Sequence, residues 1–141
     1  MELWDDLKNT ATMIHAPWGV VGDFNSINYV EEKLGGQPFS LNNNLDFISC
    51  IDDCGLQDAS FSGPAFTWCD QRDPPDTIWK ILDRLLYNSQ WLDIYEGTCV
   101  THLSRASSDH AHLLNVWNND HTNNIKYLNS LMSGLITKIF L

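Results

Sequence analysis

Five polar residues break into otherwise apolar stretches of this chain: Asp23, Asn25, Asp83, Asp109 and His110. Asp23 and Asn25 follow Val20-Val21-Gly22, which read as a short buried strand ending at a glycine that permits a turn or a close approach. On an extended chain, residues two apart point the same way. A carboxylate and a carboxamide would then project side by side from the end of a strand. That pair suits a metal or a phosphate, because one supplies charge and the other supplies a donor and an acceptor. The competing structural reading is an Asx turn that closes the strand. Asp83 and Arg84 sit inside the apolar run from Ile78 to Leu86, where charge is costly unless partnered or functional. Asp109-His110 ends a polar turn, and a His beside carboxylates has the makings of a general acid–base pair. Carboxylates with an amide at one edge could also hold Mg²⁺, which prefers oxygen ligands.

The elements that must position these residues can be read from spacing. Leu3, Trp4, Leu7, Ala11 and Ile14 recur at helical intervals and predict an N-terminal amphipathic helix. Residues 26–40 read as irregular, with Gly35-Gly36 and Pro38 as turn signals and Glu31, Glu32 and Lys33 as a solvated loop. Asn42, Asn43 or Asn44 is expected to cap a second helix with Leu41, Leu45, Ile48 and Ile51 on its apolar face and Gly55 at its end. Ala65 to Trp68 reads as a strand. The Asp73-Pro74-Pro75-Asp76 loop leads into a returning strand over Thr77 to Tyr87. Ser89 to Leu92 reads as a helical turn, and Cys99 to Leu103 and Ala111 to Val116 as strands. Ile125, Leu128, Met132, Leu135, Ile136 and Ile139 predict a C-terminal amphipathic helix from about residue 125. In an α/β fold, strand ends are where ligand sites gather, and each polar residue above falls at one.

The totals narrow the classes of function. The 141 residues fit one domain, and 43% hydrophobic content with six Trp can build a core. A formal net charge of −10 opposes generic tight binding to nucleic acid, although an enzyme can still touch a phosphate backbone locally. No apolar run is long enough to span a membrane, and the acidic start carries no signal pattern. Cys50, Cys54, Cys69 and Cys99 read as buried thiols of an intracellular protein.

Four motifs in order carry a resemblance: Gly22-Asp23-Phe24-Asn25, Phe66-Thr67-Trp68, Leu82-Asp83-Arg84-Leu85-Leu86 and Ser108-Asp109-His110. Together they resemble the C-terminal motifs of the endonuclease/exonuclease/phosphatase superfamily. Ile78-Trp79-Lys80 and His102-Leu103-Ser104-Arg105 give it the flavour of the apurinic-type endonuclease domain of plant-like non-LTR retrotransposons. The likeness runs from about Leu3 to Leu114. It implies an α/β (α+β) fold, part of a four-layer α/β/β/α sandwich, supplying about one mixed sheet with flanking helices. Residues 1–116 would be the C-terminal portion of such a domain, and 117–141 a divergent tail. The implied activity is Mg²⁺-dependent cleavage of DNA phosphodiesters, with a nuclear location if the chain derives from a retrotransposon.

The resemblance also implies roles. Asp23 would orient or deprotonate the attacking water, and Asn25 would hydrogen-bond the scissile phosphate. Asp109 would help hold the metal. His110 would contact the phosphate or act as acid–base, with Asp83 fixing its ring, while Thr67 and Trp68 pack beneath. The family's first half, with its metal-binding Glu, has no counterpart ahead of Asp23. We therefore expect weak or no catalysis from this chain alone, and an unpartnered sheet face that favours self-association or a non-catalytic interaction role. A zinc site on His102, His110, His112 or His121 is a remaining alternative without a second close ligand pair.

Overall fold

In a computed structural model of the chain, the residues described are 2–105, 108–119, 124–130 and 136–140. Glu2–Met13 forms α1, and Leu3, Trp4, Leu7, Ala11 and Ile14 all turn to the core as their spacing predicts. Trp18–Asp23 is β1, buried along almost its whole length. A 3-10 turn at Val30–Glu32 leads to β2, Lys33–Leu34. Leu41–Cys54 is α2, closed by Gly55 in the left-handed conformation (φ 65°) that an L side chain rarely adopts. Short strands follow: β3 Leu56–Asp58, β4 Phe61–Ser62, β5 Trp68–Cys69 and β6 Trp79–Lys80. Then come β7 Asp83–Asn88, α3 Ser89–Ile94, β8 Cys99–His102 and β9 Leu113–Asn119. The last two strands are β10 Asn124–Ser130 and β11 Ile136–Phe140.

The strands form three sheets. The first is antiparallel, in the order β11-β1-β7-β3. The second runs β10-β9-β8-β4 and is mixed, because β4 pairs parallel to β8. The third is the small antiparallel β2-β6-β5. Alternation along the strands sorts side chains into two cores. Val20 and Leu86 join Leu7, Trp18, Phe24, Phe47, Cys50 and Cys54 between the first sheet and α1 and α2. Val21, Leu85 and Tyr87 point the other way and meet Val100, Leu113 and Trp117 of the second sheet, with Trp91 of α3 fully buried among them. The layers are therefore helix, sheet, sheet, an α+β arrangement with flanking helices.

Arg84 lies on the helix side of β7, and its side chain is 2% exposed. Its guanidinium donates to both oxygens of Glu32 (3.0 and 3.1 Å) and to Asp58 Oδ2 (2.6 Å). It also donates to the carbonyls of Ile81 (2.7 Å) and Ser26 (3.3 Å), and it stacks 5.2 Å from the Phe47 ring centroid. Burial works against this charge, but Asp58 and Glu32 more than offset it and raise the Arg84 pKa above its ordinary value. Glu32 is held in turn, since its Oε1 accepts from the Asn28 backbone N–H at 2.6 Å.

Several sequence expectations change. Glu32 is buried and paired, so Glu31 to Lys33 is not simply a solvated loop. The buried face of α2 is Phe47, Cys50 and Cys54, with Ile51 packed beside them as expected, while Leu41 and Leu45 are exposed: the helix is turned from the predicted face at its start because Phe47 packs between Trp4, Phe24 and Arg84. Ser40 caps that helix, accepting from the Asn43 N–H, in place of Asn42, Asn43 or Asn44. The returning strand over 77–87 is two strands in two different sheets, separated where the Ile81 N–H turns to the Glu32 carbonyl. The C-terminal helix from about 125 is replaced by β10 and β11, edge strands on the second and first sheets; Met132 and Leu135 lie outside the described residues. Among the described residues there are two four-stranded sheets and a small third one where about one sheet is expected, and the first sheet is covered on both faces. Cys50, Cys54 and Cys69 are buried free thiols, as expected, but Cys99 is exposed.

The buried cation makes a direct test. Arg84→Met should lower unfolding stability by about 3–5 kcal/mol, because Glu32 would keep a buried carboxylate without a partner. Urea denaturation at pH 7 measures it, and a loss below about 1 kcal/mol would show that the pair relaxes into solvent.

Candidate functional site

The site is built on strand register. In the β1–β7 pairing Asp23 lies directly across from Asp83. Both share a face with Val21 and Leu85, so both point into the space between the two large sheets at its open end. His110 arrives from the second sheet's side, just ahead of β9, and is fixed by a bridge to Trp68. The Ala111 N–H donates to the Thr67 carbonyl at 2.6 Å, and the Cys69 N–H to the Asp109 carbonyl at 3.1 Å. Three separated stretches of sequence thus converge through backbone bonds alone.

His110 Nδ1 is 2.8 Å from Asp83 Oδ2. An ionised carboxylate only accepts, so Nδ1 carries the proton and Nε2 is left facing Asp23. Nε2 lies 3.6 Å from Asp23 Oδ2, an ion-pair separation too long for a hydrogen bond. The other oxygen of Asp23 accepts from the Asn25 N–H at 2.8 Å, with Asn25 in the left-handed region (φ 49°) that Asn tolerates better than most residues. The Asx turn and the paired carboxylate are therefore both present: the turn fixes one oxygen of Asp23 and leaves the other on the imidazole. Asp83 is 5% exposed, and burial raises its pKa, opposed by its hydrogen bond and charge interaction with His110 and by Thr67.

Thr67 sits beneath. It is fully buried, and its hydroxyl oxygen accepts from the N–H groups of both Leu82 (2.9 Å) and Asp83 (3.1 Å). It fixes the backbone exactly where β7 begins, a role beyond the packing that its motif suggested. Trp68 is half-buried, with the Lys80 ammonium 5.6 Å from its ring centroid.

Asp23, Asp83 and His110 each present one ligand atom within 4.8 Å of the others, a group compatible with a metal ion. Two carboxylates supply the charge a divalent cation needs, but the imidazole is a poor ligand for a hard one. Asp109 does not join this group: its side chain is exposed, and its contribution is the backbone carbonyl that holds Cys69. Asp109 lies in the bend that precedes the His110 bridge, and there its side chain turns to solvent. Asn25 is exposed at the rim. Among the other candidate zinc ligands, His102 is buried with Nδ1 2.8 Å from the Pro64 carbonyl, and it stacks on Phe61. Neither His102 nor His112 belongs to the metal-compatible group, and His121 lies outside the described residues. Glu32 and Asp58 escaped the reading of the sequence, although the charge of Arg84 inside an apolar run called for acidic partners. No helix among the described residues is long and apolar enough to cross a membrane. No family model, curated protein or solved structure matches the chain.

Two expectations follow. Thr67→Val should cost about 1–3 kcal/mol in urea denaturation, because two buried N–H groups lose their acceptor, whereas Thr67→Ser should restore most of it. His102 is buried, which lowers its pKa, with the Pro64 carbonyl opposing and Arg84 assisting. The unfolded chain then binds the proton more readily, so stability is full above about pH 6.5 and falls as pH drops through the lower folded value. Denaturation at pH 7.5 and 5.5 should show that loss in the wild type and a smaller one in His102→Gln.

Proposed function

We propose that the chain carries part of a Mg²⁺-dependent phosphodiesterase site acting on DNA, of the kind found in the endonuclease/exonuclease/phosphatase superfamily that its motifs resemble. The observation that carries this reading is the imidazole of His110 held between Asp83 and Asp23. Asp83 fixes the ring through Nδ1 and leaves Nε2 for a phosphate oxygen. Asp23, anchored by its turn, offers Oδ2, which makes no hydrogen bond to His110, to orient or deprotonate an attacking water. Asn25 at the rim donates its amide to the phosphate. Asp23 and Asp83 would hold a Mg²⁺ ion, which would supply charge stabilisation for the transition state. Asp109, exposed as it is, adds nothing to the described ligand group, and two carboxylates with an imidazole make a weak Mg²⁺ site. Turnover by this chain is accordingly very low.

A non-catalytic role in self-association is favoured by one feature, the second sheet. Leu114 and Val116 of β9 are only half-buried, while their neighbours Leu113, Asn115 and Trp117 face the core. That surface suits pairing with another apolar face.

Nicking of supercoiled plasmid with Mg²⁺ separates the two. The phosphodiesterase reading expects trace nicking that EDTA abolishes and His110→Ala reduces by at least ~100-fold. Nicking that survives His110→Ala unchanged would remove His110 from the chemistry. Its complete absence at high protein concentration, with a dimer in sedimentation, would favour the non-catalytic role.

A further inference from the structure

Beside the site lies a cavity of about 390 Å³ that the acid–base group does not use. Asn25, two residues after Asp23, lines it, and Leu82, which also lines it, immediately precedes Asp83. Its other polar walls include Lys33, Lys80, Asn43 and Asn44. Lys33 and Lys80 are directly opposite each other in the β2–β6 pairing, so their side chains leave the sheet on the same face. Like charges in that position destabilise a sheet. The chain has 18 acidic residues and eight basic ones, yet neither of these ammonium groups has a carboxylate within ion-pair distance among the described residues. Lys33 reaches only the Gln37 carbonyl, and Lys80 the face of Trp68.

We propose that Lys33 and Lys80 form a phosphate subsite, which holds a second phosphate of the same nucleic-acid strand whose phosphodiester faces His110. The proposal rests on the phosphodiesterase reading of that site. An anion between the two ammonium groups turns their mutual repulsion into attraction for both. Burial and the nearness of Lys33 lower the Lys80 pKa, the direction expected of two cations gathered with no anion between them. The amide of Asn43, in the first turn of α2, adds a neutral donor at an end of the helix where anions are favoured. Trp68 lies opposite Lys80 in the β5–β6 pairing, with its ring under the Lys80 ammonium, while its backbone bridges to His110, so the ring offers a base a stacking face beside the lysines.

The test is binding of a fluorescein-labelled single-stranded oligonucleotide of about 12 nucleotides, followed by anisotropy in EDTA over a range of salt. EDTA removes turnover, so the result does not depend on catalysis. Lys33→Gln and Lys80→Gln should each weaken binding about fivefold and flatten the slope of log K against log salt by ~0.7. Both variants should melt no lower than the wild type, because each relieves a repulsion. Unchanged affinity and slope in both variants, or no binding by the wild type, would overturn the subsite whatever the plasmid assay shows. Lysine-dependent binding without any nicking would support the subsite and sink the catalytic reading instead. Calorimetric titration with inorganic phosphate forms the other arm. Phosphate binding that both variants lose, with oligonucleotide binding unaffected, would make the cavity a free-phosphate site and overturn the strand.

Discussion

One full positive charge, placed where water barely reaches it, organises this chain. Arg84 must be neutralised inside the protein, and the groups that do so come from distant parts of the sequence: Glu32 after β1, Asp58 at the end of β3, and the carbonyls of Ser26 and Ile81. Each has to be in place for the others to be tolerable, because a buried cation lacking one partner is a heavy penalty. The loop of residues 26–32 is held on its course by buried Ile27, whose N–H donates to Asn44 Oδ1, and by this ion pair. That course delivers Lys33 to β2 and directs the Glu32 carbonyl onto the Ile81 N–H, which separates β6 from β7.

The same residue sets the site through the parity of a strand. Alternating side chains mean that whatever points Arg84 toward α2 points Asp83 the opposite way, between the sheets. A slip of one residue would exchange them, burying the cation against His110 and facing the carboxylate to Phe47. The β1–β7 register then places Asp23 opposite Asp83, and Thr67 holds the start of the strand by its hydroxyl. The geometry around His110 is thus a by-product of satisfying Arg84 on the other face. The stability of the fold and the shape of the site rest on one pairing.

Much of this was legible in the residues, and the exceptions have a common cause. The face of α1, the strand at Val20-Val21, Gly55 and the cost of charge at Asp83-Arg84 all follow from local pattern. What failed depends on partners far along the chain. Glu32 stands in a polar run that looks solvated until Arg84, 52 residues on, claims it. Ile136 and Ile139 are three apart and suggest a helix, yet they pack on opposite faces of β11, one against each core. A strand covered on both sides shows no clean alternation, so periodicity cannot separate it from a short helix. Asp109 is expected to help hold the metal, but it lies in the bend ahead of His110 with its side chain exposed, outside the group formed by Asp23, Asp83 and His110.

Under the phosphodiesterase reading, the acidic site and the basic cavity require one another. A phosphodiester approaching His110 meets Asp23 and Asp83, in a chain of net charge −10, and is repelled by both. Chemistry needs those carboxylates, so the attraction has to come from elsewhere. A divalent cation meets part of that need only while it is bound, and the described ligand group holds it weakly. Lys33 and Lys80 are fixed in the sheet, and they stand one residue pair away from the bridge that carries His110. Their charge is screened over about 10 Å at ordinary ionic strength, so it acts on a strand at the site and scarcely on one at a distance. A chain built this way does not gather nucleic acid indiscriminately. On that reading it would hold a strand only where the second phosphate reaches the lysines while the first reaches the imidazole, and the distance from the lysines to the imidazole would set what fits.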